Sequence, residues 1–376
     1  MNAAAAFLDQ DHVDLAARVA VWTEEALRCR MDGDDEQARR EARALVASLG
    51  AAGWYEAITR QDLRSLCVIR EAIAGASPLA DAVVALQALS LTPILLAGTA
   101  RQRDQWIPEL ASGRAMGGFV ITEPEAGSDV AAMQTTARRD GTEWVIDGEK
   151  HLISNAGIAD LYVVFAVTSV GRGSRGMSAF LVPAATAGLR FAGSQAMAAP
   201  HPLGRLVFEA CRVPAEALLG DPNRGFKLAM TTLDRVRPSV GAAACGMAGR
   251  ALREAVQHAR SRHQFGQPLG DLQLVRAKLG DMATELDAAR LLVYRAAWEK
   301  DLGAERITVS AAMAKSFATE AAQRIVDAAV QIVGGRGVLV GHPVEYLYRS
   351  VRALRIYEGA TDVQRLIIGA ALLADS

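Results

Sequence analysis

The 376-residue sequence is short of lysine, of paired cysteines and of any excess of one charge. A formal net charge of −1 excludes a surface built to hold phosphate backbones, and equally an acidic disordered tail. Only five of the 41 basic residues are lysine (Lys150, Lys227, Lys278, Lys300, Lys315); the rest are arginine, a compositional bias that also suits bidentate phosphate contacts. The cysteines Cys29, Cys67, Cys211 and Cys245 form no CxxC or ligand-spaced pair, so neither a disulfide framework nor a zinc site is expected, and a reducing cytoplasm fits. The histidines (His12, His151, His201, His258, His263, His342) lack HExxH spacing, so no metal is expected, and no GxSxG elbow supports a serine nucleophile. The N-terminus, MNAAAAFLDQDHVD, has no basic region ahead of its alanines and does not read as a signal peptide.

What remains is an ordinary globular balance, 51% hydrophobic and 22% charged, long enough for two or three domains. Residues 82–100 carry no charge, but they include Gln87, Ser90, Thr92 and Pro93, which favours buried core over a membrane span. From Asp14 to about Gly113 the pattern is helical. Residues 34–48 open with acids and run to an expected stop at Gly50, and breaks are expected at Gly75–Pro78 and at Thr92–Pro93. At Gly117 the texture changes to strands. GGFVIT, the turns Asp140–Gly141 and Asp147–Gly148, and the runs 161–167, 177–183 and 205–214 predict a β-domain of about 100 residues. Helix resumes near Gly225; Met282, Leu286, Ala289, Val293 and Ala296 recur at steps of three and four, the stripe of a bundle helix. The charge-poor, small-residue segment 238–249 predicts close helix contact, with breaks at Gly334–Gly337 and Gly341–Pro343.

Three segments can carry chemistry. Phe119 to Asp129 leads from a strand into a Pro/Gly/Ser turn that could present N–H groups and hydroxyls to an anion, or be only a turn. Gly334-Gly335-Arg336-Gly337 permits a close approach to pyrophosphate but also stops a helix, and neither segment has GxGxxG spacing after a strand. Glu358, before Gly359 and the Ala360-Thr361-Asp362 helix start, is either a capping carboxylate or one held in a cleft.

Together the segments ITEPEAGSD (121–129), IDGEKHLISNAG (146–157), VFEACRVPAEALLG (207–220), LDRVRP (233–238), SRHQFGQPLGDLQ (261–273), QIVGGRGV (331–338) and IYEGATDVQR (356–365) resemble the acyl-CoA dehydrogenase family. The resemblance covers roughly residues 90–376 and implies an α+β architecture: an N-terminal helical domain (1–116), a central antiparallel β-domain (117–222) and a C-terminal four-helix bundle (223–376). It implies FAD, an acyl-CoA substrate and α,β-dehydrogenation, with Glu358 removing the α-proton while the β-hydrogen passes as hydride to flavin N5. The Glu358 N–H would polarise the thioester carbonyl. The position where some members carry the base is Val236, which cannot act. FAD contacts carry over to Phe119, Thr122, Gly127, Ser128, Ile153 and Ser154, and from a neighbouring subunit to Arg262, Phe265, Leu272, Gln273, Gln331 and Gly335, with Ala360 and Asp362 beside the base. Ser128, Asp234, Arg237 and Gly359 would line the substrate side.

Sharing a cofactor implies a homodimer or homotetramer, and the family's usual acceptor is an electron-transfer flavoprotein. An acyl-CoA oxidase, a dehydrogenase acting on an acyl-carrier protein and a flavin monooxygenase share the fold and stay open as alternatives. Departures bear on substrate choice: Leu152 replaces the tryptophan that packs on the flavin, Ser154 the threonine, and in the stiff segment 196–205 His201 could face the substrate or solvent, with solvent favoured.

Overall fold

A computed structural model describes residues 3–27, 31 and 33–374. Cys29 lies outside the described residues; Cys67, Cys211 and Cys245 are buried free thiols. The chain divides into two compact units. One comprises Met1–Gly33, Asp62–Asp81 and Asp234–Ser376, the other Asp34–Gln61 and Ala82–Leu233.

The N-terminal helices are α1 (Gln10–Ala26), α2 (Asp35–Ala51), α3 (Glu56–Thr59), α4 (Leu63–Ala76), α5 (Pro78–Ala97) and α6 (Ala100–Ala111). Acid caps start two of them: Asp34 accepts from the Gln37 N–H and Asp62 from the Ser65 N–H. The break at Ser77 is where the sequence places it, but α5 runs straight through Pro93. Length and composition would let α5 cross a membrane, yet it is mostly buried inside the protein. Nor does Gly50 stop α2; it is a glycine because a Cβ there would lie 2.2 Å from the Ser112 carbonyl oxygen.

The second unit is built on β1 (Gly117–Val120), β2 (Thr136–Asp140), β3 (Glu143–Ser154), β4 (Leu161–Val167), β5 (Met177–Pro183), β6 (Leu189–Ser194), β7 (Leu203–Pro214) and β8 (Leu218–Leu219). Their order is β6-β7-β3-β2-β4-β5-β8, antiparallel except that β1 and the end of β2 pair parallel to β4. Asp140–Gly141 turns the β2–β3 hairpin as expected; Asp147–Gly148 does not turn, but sits at a bulge inside β3. Phe119 stacks on Phe165 at 5.0 Å and Trp144 meets Phe180 edge-on at 5.4 Å, filling the sheet's core. Gln87 of α5 ties the helices to this sheet, donating to the Leu110 and Ala115 carbonyls and accepting from the Gly117 N–H. Arg39 of α2 donates to the Ala156 and Leu203 carbonyls, each at 2.6 Å.

In the first unit, α7 (Gly225–Ser261) enters at Asp234 and is followed by a two-residue hairpin, β9 (His263–Gln264) with β10 (Gln267–Pro268). His263 is therefore off the helix that carries His258. Next come α8 (Gln273–Asp301), α9 (Thr308–Val333), α10 (Pro343–Leu354) and α11 (Thr361–Ala374). The expected stripe of α8 is buried throughout. Small residues on α7 and α9 let backbones close up: a Cβ on Gly246 would sit 2.0 Å from the Glu71 carbonyl oxygen of α4. We expect Gly246→Ala to cost about 1–3 kcal/mol through overpacking. Chemical denaturation would measure it, and a wild-type midpoint would show that α4 and α7 are not locked at this contact.

Candidate active site

The turn between α10 and α11 holds two consecutive residues in the left-handed region, Glu358 at φ 54° and Gly359 at φ 92°. For glutamate this is a strained conformation, of a kind that persists only where the surroundings over-determine it. The surroundings here are specific. Arg237 Nε donates to the Glu358 carbonyl oxygen at 3.3 Å. Lys315 Nζ donates to the Gly359 carbonyl oxygen at 2.8 Å, and Gln364 Nε2 donates to the same oxygen at 3.0 Å. A side chain at 359 would collide with Gln364, since a Cβ would lie 2.4 Å from its Nε2. The turn thus aims one carboxylate from a fixed backbone.

The half-buried Glu358 carboxyl has a buried Oε2 with no hydrogen-bond partner among the described residues. Its backbone N–H has no acceptor among them either. Burial pushes its pKa above the ordinary carboxylate value, opposed by the charges of Arg70, Lys315 and Arg237 and assisted by that of Asp81. A carboxylate with a free oxygen and a raised proton affinity, beside a free N–H, is equipped to take a proton from a bound molecule while the N–H steadies an adjacent oxyanion. Lys315 is buried on the apolar face of α9, and burial brings its ammonium down to about 8. Val236 is buried.

In the same unit, the charges of Arg262, Arg336 and His342 all reach His258. Burial holds His258 below its usual value, and the charges of Arg336, Arg262 and His342 push the same way. Neither arginine side chain has a hydrogen bond or ion pair with a described residue. Arginines with no carboxylate bound to them suit the diphosphate of a dinucleotide. Around them Phe265 is 88% exposed, at φ 53°, and Gln273, Gln331 and Gly335 are exposed on the surface, with Leu272 half-buried.

In the second unit, Thr122 is half-buried and Gly127 and Ser128 are exposed, on a turn closed by the Glu123–Ala126 bridge. Glu123 anchors this turn from below: it accepts from the Gln134 and Thr135 N–H groups and pairs with buried Lys150 at 3.0 Å. Phe119 and Ile153 are buried, so their side chains belong to the core and only their backbones could meet a cofactor. Leu152 is 51% exposed at φ 54°, its N–H held by Gln195 Oε1.

Some residues sit otherwise than the sequence suggests. His201 is half-buried instead of open to solvent; its Nε2 shares a 2.7 Å hydrogen bond with Ser154 Oγ, and burial lowers its pKa to about 4, leaving it neutral near pH 7. Arg237 is buried and paired with Asp234, which also accepts from Thr308 Oγ, so the residue that holds the Glu358 carbonyl is itself held. Asp362 is exposed in the first turn of α11, 3.3 Å from Arg365, and Ala360 is half-buried just ahead of that helix. Lys315 and Arg70 were missed. Their signal was a cation in register with apolar neighbours three and four residues away, Ala311, Ala312 and Ala318 for one and Leu66, Cys67, Ile73 and Ala74 for the other.

Comparison with known proteins agrees with this geometry. Models of the N-terminal, middle and C-terminal domains of acyl-CoA dehydrogenase match residues 9–114, 118–211 and 223–373. The mitochondrial short-chain specific acyl-CoA dehydrogenase of Rattus norvegicus is 45% identical over 287 residues, 76% of this chain and 69% of the relative. Butyryl-CoA dehydrogenase from Megasphaera elsdenii superposes with a TM-score of 0.89 at 32% identity, covering 97% of this chain and 99% of that one. A glutaryl-CoA dehydrogenase from Mycobacterium smegmatis, solved in complex with FADH2, gives a TM-score of 0.89 at 27% identity over 98% and 96%. On these matches along its whole length, the chain belongs to the acyl-CoA dehydrogenase family, a family of flavin-dependent oxidoreductases.

Proposed function

We propose that the chain catalyses FAD-dependent α,β-dehydrogenation of a short acyl-CoA thioester. The observation that carries this reading is the Glu358 turn: an unpartnered carboxylate oxygen and an unpartnered N–H on one rigid, strained backbone. FAD, when bound, would supply the acceptor for the β-hydride. Glu358 takes the α-proton, and its N–H donates to the thioester carbonyl, lowering the cost of the enolate-like charge. Lys315 and Arg237 keep the turn from relaxing as that charge develops. The turn Thr122–Ser128 and Ser154 would meet the flavin side of FAD, with His201 setting the Ser154 hydroxyl, while Arg262 and Arg336 would reach the diphosphate of an FAD held by a neighbouring subunit.

Short acyl groups are favoured by the names of the short-chain and butyryl-CoA relatives. A homodimer or homotetramer fits the exposed apolar side chains Phe265, Leu274, Val338, Leu339 and Val340 around the cationic cluster. An electron-transfer flavoprotein as acceptor and a cytoplasmic location complete the reading.

Two measurements test it. Glu358→Gln should keep its flavin but lose anaerobic bleaching by butyryl-CoA by roughly 10²–10⁴-fold, since no second base replaces it. Wild-type bleaching in that variant would end the assignment. In the wild type the bleaching rate should rise with pH, because only deprotonated Glu358 can accept the proton, with its inflection above the ordinary carboxylate range. The double variant Arg262→Ala/Arg336→Ala should purify with little flavin, read from its visible absorbance per chain; a full complement would remove these residues from the diphosphate site.

A further inference from the structure

The connection from β6 to β7, residues 195–202, meets the end of β3 at three points. Its first residue, Gln195, accepts from the Leu152 N–H at 2.9 Å through Oε1, while its amide nitrogen donates to His151 Nε2. His201 shares its 2.7 Å hydrogen bond with Ser154 Oγ, and the Pro202 carbonyl accepts from the Asn155 N–H at 2.6 Å. This end of β3 is irregular. A register shift separates Lys150 from Ile153 in the pairing with β7, and Leu152 and Asn155 both stand in the left-handed region, at φ 54° and φ 61°.

Asparagine tolerates that conformation, and Asn155 is buried with its side chain donating to the Gly117 carbonyl at 2.9 Å. A bulky leucine is strained in it. Glycine at 152 would relieve the strain, and a leucine with 51% of its surface in solvent recovers little burial in exchange. The fold therefore holds an apolar side chain out from β3 in a backbone geometry that works against stability. Gln195 does the holding. Leu152 falls in the gap of the β3–β7 ladder, and its N–H goes to the amide oxygen instead. That N–H fixes which way the amide faces, and the amide nitrogen is steadied by His151, whose own backbone N–H donates to the Thr122 carbonyl at 2.9 Å.

We infer that Gln195 is a positioning residue of the flavin site: it holds Leu152 in the left-handed conformation, so that the leucine side chain supplies an apolar surface to the ring of bound FAD. Ser154, two residues on, supplies a hydroxyl whose direction His201 sets. An aliphatic surface with one fixed hydroxyl beside it suits a flat heteroaromatic ring, its face apolar and its edge polar. The stiff connection that carries Pro200 and Pro202 thus serves the cofactor, through side chains at both of its ends. The inference rests on the reading of the chain as an FAD enzyme.

The test is flavin release from the holoenzyme, followed by the fluorescence of freed FAD on dilution, beside the thermal midpoint of unfolding. Leu152→Gly removes the side chain and the strain together; its midpoint should be unchanged or higher, while flavin leaves roughly fivefold faster or more. Gln195→Met takes the acceptor from the Leu152 N–H and should speed release by roughly fivefold. Gln195→Glu keeps an acceptor there, with the imidazole of His151 moving its proton to Nε2 to meet the second oxygen, and should release flavin as the wild type does. Glycine needs no clamp at positive φ, so Gln195→Met should add nothing in the Leu152→Gly background. Wild-type release in either single variant, or a double variant that releases flavin faster than Leu152→Gly, would show that Gln195 does not act through Leu152 and overturn the inference. Where Gln195→Met does not fold alone, the double variant carries the same comparison. Failure of the FAD reading itself is separate: the wild type would then purify without flavin and take up none.

Discussion

Holding Glu358 and Gly359 in left-handed conformations costs on the order of 1–3 kcal/mol at the glutamate alone, and the turn persists because two cations and an amide grip its carbonyls. That grip organises the unit around it. Lys315 has to be buried on α9, which requires the alanines beside it to let the helix close on the turn. Arg237 has to be held by Asp234, and Asp234 by Thr308, so α7 and the start of α9 are drawn to the same point. A strained glutamate with an open oxygen is thus the end of a chain of buried polar contacts, each satisfied by the next.

The second unit contains a related device with a different outcome. Lys150 is fully buried and brought down to about 8 by burial, as Lys315 is. It donates to Glu123 Oε1 and to the Ile121 carbonyl, and Glu123 accepts two backbone N–H groups besides. Every atom of that pair is used, and it anchors the turn above it without exposing reactive charge. Lys315 instead spends its hydrogen bond on a carbonyl, so its charge is left to act on Glu358. One lysine closes its network and the other leaves it open toward the base, a contrast between a structural pair and a reactive one.

Much of this was legible in the residues, and the reasons for the rest are physical. Strands 161–167 and 177–183 and the helix from Gly225 fall where the sequence puts them; each strand is a continuous apolar run buried on both faces. Pro93 misled because its missing N–H is tolerable inside a helix that tertiary packing surrounds on every side. Gly50 and Gly148 misled because a glycine may answer to a close neighbour, Ser112 and Thr135 here, as well as to a turn. The motif segments located Glu358 and Arg237, but not the other charges around the base. Arg70, Asp81 and Lys315 come from three helices, and their convergence is a property of packing that no local pattern carries.

The scarcity of lysine acquires a meaning at this site. An arginine in a buried pair supplies a charge that no accessible pH removes, whereas a buried lysine supplies one that weakens as pH approaches 8. Glu358 stands between both kinds. Arg70 and Arg237 favour its carboxylate at all pH values, while the help of Lys315 fades as that ammonium deprotonates. Loss of the Lys315 proton would at the same time remove the charge from the hydrogen bond on the Gly359 carbonyl. The base and its neighbouring lysine are therefore coupled through one backbone turn, and protonation of one alters both the field and the anchorage of the other. Permanent charge at Arg70 and Arg237 keeps Glu358 from depending on Lys315 alone.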